Sequence, residues 1–226
     1  LSSININPSG TITLVVLFPS WIKGSITSGW STSFYGWKMM LCKLHMILIL
    51  DLHYNEPDET YVGWVKAESF SSLSPVNYGR YKVIGPQAPY VPGQFWRREV
   101  PPILSFIEAR PDVLDDVDII VVDCLCHLPT GQPSMGEKLW EALGRHYRVV
   151  GVAKTLFNDS RAYSITRPSS ARPLYITECG TDDWRAVAQS IAVMAGRYRI
   201  PDLIKMADSL ARGHTSVSLE ASGTRM

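Results

Sequence analysis

Residues 47–52 read Ile47-Leu48-Ile49-Leu50-Asp51-Leu52, an apolar run interrupted by a single acid. A short run with no polar alternation describes a strand covered on both faces, the central strand of an α/β sheet. Val117-Asp118-Ile119-Ile120-Val121-Val122 repeats the pattern and stops at Asp123, and Val149-Val150-Gly151-Val152-Ala153 repeats it again and stops at Lys154. Around these runs, Tyr61–Ala67 alternates and reads as a second strand, joined to the first by a turn over Asn55–Thr60 with its Pro57 and Asp58. Tyr78–Ile84 is a third strand, and Tyr163–Thr166 with Leu174–Thr177 a hairpin. Val100–Arg110 has helical spacing through Ile103, Phe106 and Ile107, with Pro101 and Pro102 tolerable only in the first turn. Gly136–Leu143, Trp184–Arg197 and Pro201–Ala211 are the remaining expected helices, the last with Pro201 in its first turn. Early strands followed by interleaved helices indicate an α/β domain with a mixed sheet.

Composition agrees. The chain has 226 residues, is 46% hydrophobic and 19% charged, and balances 22 basic against 21 acidic groups. That excludes a disordered chain, and four cysteines in this length exclude a disulfide scaffold. A net charge of +1 leaves no protein-wide attraction for nucleic acid, so any basic footprint is local. Cys42, Cys124, Cys126 and Cys179 include no CxxC pair, so no zinc framework is legible and reduced thiols in a cytoplasmic protein are expected.

The first 45 residues differ in character: they are rich in Ser, Thr, Ile, Trp and Gly and lack Asp, Glu and Arg. Their apolar stretch, Leu14–Phe18, meets Pro19 and falls short of the about 20 residues that span a bilayer. The expectation is an atypical extension over 1–45, with native translation starting at Met46, or at Met39 or Met40. A domain over 46–213 and a disordered tail over 214–226 complete the expected organisation.

Asp51 and Asp123 are the residues from which chemistry is read. Ligands gather outside the carboxyl ends of strands in open α/β sheets. Two acids there, on neighbouring strands, make a hard oxygen site suited to Mg²⁺ or Mn²⁺. Each acid alone is equally a cap or turn residue. Glu99, just before the expected helix in Arg97-Arg98-Glu99, is what a helix N-terminus favours. Lys154 alone reads as a snorkelling surface residue, and beside carboxylates and a metal as a phosphate partner. Pro89-Tyr90-Val91-Pro92-Gly93 is a stiff loop able to present an aromatic wedge to stacked bases, or simply a structured connector.

These segments together, and in this order, resemble endonuclease V, the metal-dependent nuclease family that cuts near deaminated bases such as inosine. Leu50-Asp51-Leu52-His53-Tyr54 is similar to its first-strand motif, an Asp followed shortly by an aromatic. Pro89–Gly93 is similar to its wedge, with Glu99 at the expected distance behind, and Val121-Val122-Asp123 to the strand delivering its second metal-binding Asp. Gly151-Val152-Ala153-Lys154 is similar to the motif of its catalytic Lys, and Arg172-Pro173-Leu174-Tyr175, Ile200-Pro201 and Ala207-Asp208 to its C-terminal pattern. The resemblance implies an RNase H-like fold, a mixed five-stranded sheet flanked by helices. It implies Asp51, Glu99, Asp123, Lys154 and Asp208 as catalytic residues. Asp51, Asp123 and Glu99 would be ligands of Mg²⁺, for which Mn²⁺ substitutes, and Pro89, Tyr90, Val91, Pro92 and His127 would contact nucleic acid. Cleavage to a 3′-hydroxyl and a 5′-phosphate by a monomer, away from membranes, completes the expectation. The family's Gly-rich loop is here Cys124-Leu125-Cys126-His127-Leu128-Pro129, so a changed base pocket is expected.

The main alternative is a catalytically silent nucleic-acid-binding protein on the same fold. A metal or redox sensor built on Cys124, Cys126 and His127 is a third reading. An unrelated small-molecule enzyme lacks support, since neither GxGxxG nor GxxxxGK[ST] occurs.

Overall fold

The computed structural model describes residues 3–6, 12–15, 46–56, 58–89, 91–129, 134–157, 161–168, 170–181 and 184–214. The chain divides into two units, Leu1–Leu41 and Cys42–Met226. The described part of the first is one antiparallel pair, β1 (Ser3–Ile6) and β2 (Ile12–Val15), running from Ser3↔Val15 to Ile6↔Ile12. The other expectations for the first 45 residues, and the tail beyond His214, lie outside the described residues.

In the second unit the strands are β3 (Met46–Glu56), β4 (Glu59–Ala67), β5 (Asn77–Ile84), β6 (Val117–Val122), β7 (Arg148–Ala153), β8 (Tyr163–Ile165) and β9 (Leu174–Cys179). They form one seven-stranded sheet in the order β5-β4-β3-β6-β7-β9-β8. β3, β6 and β7 are parallel neighbours, and the other pairs are antiparallel. The helices are α1 (Trp96–Ala109), α2 (Met135–Ala142), α3 (Trp184–Ala192) and α4 (Asp202–Ala211).

The unbroken apolar runs now have their reason. Ile47, Ile49, Val121, Val150 and Val152 pack on one face with Val187, Ile191, Leu203 and Ala207 of α3 and α4. Leu48, Leu50, Ile120, Val122 and Val149 pack on the other with Ile103, Phe106 and Leu139 of α1 and α2. Both faces of the three central strands are therefore dry, and each buried aliphatic side chain contributes about 1.5–3 kcal/mol.

Five expectations change. The sheet has seven strands and not five, because β9 pairs along the outer edge of β7 and β8 along β9. An edge left bare beside fully buried Val149 and Val150 would expose unpaired backbone, which the added hairpin satisfies. β3 runs on to Glu56 and β4 begins at Glu59, so the turn is shorter than Asn55–Thr60. α1 starts at Trp96, which puts Pro101 and Pro102 inside the helix and not in its first turn. Pro102 has no N–H for the Arg98 carbonyl, and the Tyr54 hydroxyl stands 3.2 Å from that oxygen instead. α3 ends at Ala192, short of Arg197. The buried Arg167 guanidinium accounts for this by donating to the carbonyls of Ile191, Ala192, Met194, Ala195 and Gly196, with its Nε on Tyr198. It satisfies chain-end carbonyls that a longer helix would have paired internally. Pro201 precedes α4 as its N-cap and is not within it.

Candidate active site

Sheet register builds the site. Leu50 pairs with Val122 and Val122 with Gly151 across the three parallel strands. One residue further on, Asp51 and Asp123 follow the last paired residues of neighbouring strands, just past the end of the β3–β6 ladder. Asp51 is thus mid-strand in β3 yet at the carboxyl end of its parallel pairing. Its Oδ1 accepts the Leu52 N–H at 2.8 Å. Lys154, the residue after β7, ion-pairs with Asp123.

Two helices deliver the other acids. On β4, Gly63 lies opposite Asp51. A Cβ at Gly63 would come 2.1 Å from the Ala207 carbonyl and 2.4 Å from the Ala211 nitrogen. Only a glycine lets α4 seat this closely, and α4 brings Asp208 to the cleft, with Arg212 one turn later bonding its Oδ1 at 2.8 Å. From the opposite layer, the first turn of α1 presents Glu99, whose Oε1 accepts from the Tyr54 hydroxyl at 2.6 Å. Asp51, Glu99, Asp123, Lys154, Asp208 and Arg212 all line one cleft of about 300 Å³.

Like charges in a half-dry cleft shift proton affinities. Burial, then Asp123 and Asp208, push the Asp51 carboxyl from its usual 3.8 up to about 7, with the Leu52 N–H and Lys154 pulling the other way. Burial raises Glu99 to about 7 as well, against the Tyr54 bond, and Asp51 and Asp123 add to the rise. Burial works against the Lys154 ammonium, yet its bond to Asp123 and the charges of Asp51 and Asp208 hold its pKa above the ordinary lysine value. Two carboxyls poised near neutrality beside a firmly charged lysine suit both proton exchange and cation binding.

Among the described residues no three His, Cys, Asp or Glu side chains form a ready-made metal cage. The donor chemistry nonetheless fits a hard divalent cation. Mg²⁺ is ordinarily held by one or two carboxylates, with water and substrate phosphate completing its shell. Asp51 and Asp123, neighbours that raise one carboxyl's pKa and share the single Lys154 ammonium, are such a pair.

The other expected site residues lie elsewhere. Pro89, Val91 and Pro92 are exposed on the loop leading to α1 and do not line the cleft, and Tyr90 is outside the described residues. His127 is also outside the cleft: its ring stacks on Trp184 at 5.3 Å and its Nε2 donates to the Glu178 carbonyl at 2.9 Å. Cys124, Cys126 and Cys179 are free thiols. Cys126 is fully buried, donates to the Val149 carbonyl at 3.2 Å, and packs where a Cβ on Gly136 would come 2.6 Å from its sulfur. Burial also pushes the Cys124 thiol pKa well up. The post-Asp123 loop is therefore packed against Gly151 of β7, and the burial that holds the Cys124 thiol protonated speaks against a sensor built on it. Sequence reasoning gave no role to Tyr54, Arg98 or Arg212, all of which line the cleft. Arg98 and Arg212 carried no signal beyond proximity to the acids, and Tyr54 only its place as the aromatic after Asp51.

Acids on or just past two adjacent parallel strands, a third on α1 and a fourth on α4 gather at one cleft, and the fold is similar to that of endonuclease V. The structure matches the catalytic domain of human endonuclease V with a TM-score of 0.62, at 23% identity over 76% of this chain and 82% of that one. It matches Ciona intestinalis endonuclease V, crystallised with a 24mer DNA containing an inosine followed by a ribo-adenosine, with a TM-score of 0.59. That match has 16% identity and covers 76% of this chain and 87% of that one. Streptomyces avermitilis endonuclease V gives 0.54 at 21% identity, over 76% and 81%. No protein-family model and no curated protein matches the sequence. No helix among the described residues is long and apolar enough to cross a membrane.

Proposed function

We propose that this chain is a divalent-metal-dependent endonuclease that hydrolyses phosphodiester bonds near deaminated bases, inosine foremost, in DNA or RNA. The observation that carries the reading is the convergence of Asp51, Glu99, Asp123, Asp208 and Lys154 on one cleft of an endonuclease V fold. The inosine DNA bound to the Ciona protein supports the substrate class.

Asp51 and Asp123 would hold Mg²⁺ or Mn²⁺, with Glu99 and Asp208 completing one or two sites. A metal held there would supply phosphate polarisation and an acidified water. Lys154, fixed by Asp123, offers its ammonium to a phosphate oxygen and offsets the charge that grows there. Glu99, with its carboxyl near neutrality, is able to hold or release a proton at working pH on the oxygen that does not accept from Tyr54. Tyr90 on the 89–93 loop would part stacked bases, at a cost of about a few kcal/mol per step. The products would be a 3′-hydroxyl and a 5′-phosphate. A monomeric, cytoplasmic protein belongs to the same reading.

The test is a nicking assay on end-labelled single- and double-stranded DNA and RNA, with and without one inosine, in Mg²⁺ or Mn²⁺. Inosine-dependent cuts lost in Asp123→Ala are the expected result. Cuts without inosine preference would mean that the packed Cys124–Cys126 loop has replaced the base pocket. A folded protein that binds these strands and cuts none is a silent binding module, and the proposal fails.

A further inference from the structure

Resting on the proposed metal site, we infer that Tyr54 is a positioning residue that fixes the Glu99 carboxylate for the cation, itself locked by Arg98 and Gln87. Four contacts carry this. The Tyr54 hydroxyl is 2.6 Å from Glu99 Oε1. The Arg98 guanidinium lies 3.9 Å over the Tyr54 ring, a cation–π stack that holds the ring plane. Arg98 Nη2 donates to Gln87 Oε1 at 2.9 Å, and Gln87 Nε2 donates to the Glu59 carbonyl at 2.9 Å. Glu99 is 7% exposed, so its orientation is set by protein and not by water. Side chains from the β3–β4 hairpin, the segment after β5 and the first turn of α1 thus converge on one carboxylate.

Strand parity explains the arrangement. Asp51 and Tyr54 are three residues apart on β3, so they point to opposite faces of the sheet. Asp51 serves the cleft from the α4 side. Tyr54 meets α1 from the other side, where Glu99 descends. A residue that shared the face of Asp51 could not hold Glu99 in this way. Gln87 lies two residues before Pro89, so the network also anchors the base of the 89–93 loop to the carboxylate.

The hydroxyl has a second neighbour, which supplies a control. The Arg98 carbonyl, 3.2 Å away, lacks its usual helix donor because residue 102 is proline. A merely structural tyrosine would cap that carbonyl. Pro102→Ala restores an N–H to it and would make the cap redundant.

The experiment measures Mn²⁺ affinity by calorimetry, and cleavage of an inosine oligonucleotide, for wild type, Tyr54→Phe, Pro102→Ala and the Tyr54→Phe/Pro102→Ala double variant. Phenylalanine keeps the ring and the Arg98 stack and removes only the hydroxyl. Loss of an outer-shell partner typically costs about 10–100-fold in metal affinity or activity. That loss is expected in Tyr54→Phe and again, undiminished, in the double variant, with Pro102→Ala close to wild type. Rescue in the double variant overturns the inference in favour of a helix cap. Unchanged Mn²⁺ affinity in a folded Tyr54→Phe overturns it outright. Should Tyr54→Phe fail to fold alone, the double variant, whose helix carbonyl is satisfied, gives the same reading. A wild type that binds Mn²⁺ but cuts nothing refutes the nuclease proposal alone, and the affinities still decide the role of Tyr54. A wild type that binds no Mn²⁺ overturns both.

Discussion

Replacing Asp51 with asparagine should stabilise the metal-free protein while destroying its function. Asp51 holds its proton up to about pH 7 in the folded state, against an ordinary value of 3.8. Between those values the folded chain binds more protons than the unfolded one, so stability falls as pH rises through the window. Below about pH 4 there is no penalty, and above about pH 7 all of it is present. At about 1.4 kcal/mol per pH unit, the interval corresponds to about 4 kcal/mol. Partial solvent access and the neighbouring Lys154 reduce what substitution recovers, so about 2 kcal/mol is expected. Asparagine keeps an oxygen for the Leu52 N–H, so the local backbone bond survives. Urea unfolding in EDTA at pH 4.5 and pH 8 reads the effect: near-equal stabilities at the acid end, the variant more stable at pH 8. Adding Mg²⁺ at 100 times its dissociation constant should then return about 2.7 kcal/mol to wild type and little to the variant. A variant less stable than wild type at pH 8 in EDTA, or a difference independent of pH, would refute the view of Asp51 as an acid strained by its neighbours.

Lys154→Met should lower kcat by about 100–1,000-fold with little change in substrate affinity at moderate salt, read by single-turnover cleavage against binding titration. Gly63→Ala inserts a methyl into the α4 backbone and should cost about 3 kcal/mol or more, measured by denaturation. The same shift would displace Asp208. Arg167→Met removes the donors for the carbonyls after α3 and should destabilise by about 3–5 kcal/mol without changing the pH profile of cleavage. Because Asp51 and Glu99 must release protons to bind a cation, apparent Mg²⁺ affinity should rise with pH from 6 to 8 and level off above, with proton release detectable by calorimetry in buffers of different ionisation enthalpy.

Much of this was legible in one dimension. The apolar runs at 47–52, 117–122 and 149–153 announced strands dry on both faces, because no alternation is needed where neither face meets water. Acids and a lysine at or just beyond the ends of those runs marked Asp51, Asp123 and Lys154, since a charge beside a buried strand needs a partner or a task. Their order along the chain, with Glu99 and Asp208, matched a nuclease pattern. What sequence alone could not supply was everything that depends on which surfaces meet. Helix spacing places Pro101 and Pro102 poorly, because what surrounds the Arg98 carbonyl that Pro102 leaves without its helix donor comes from β3. Arg167 carries no sequence signal, since its partners are carbonyls about 24 to 31 positions away. Cys126 looked like a candidate ligand until burial showed a packing residue. Alternating and apolar patterns fix which elements form, because they depend on local geometry and on solvent. The neighbouring placement of Asp51 and Asp123, the approach of α4 over Gly63 and the grip of Tyr54 on Glu99 depend on register and helix seating, which only the packed tertiary structure decides.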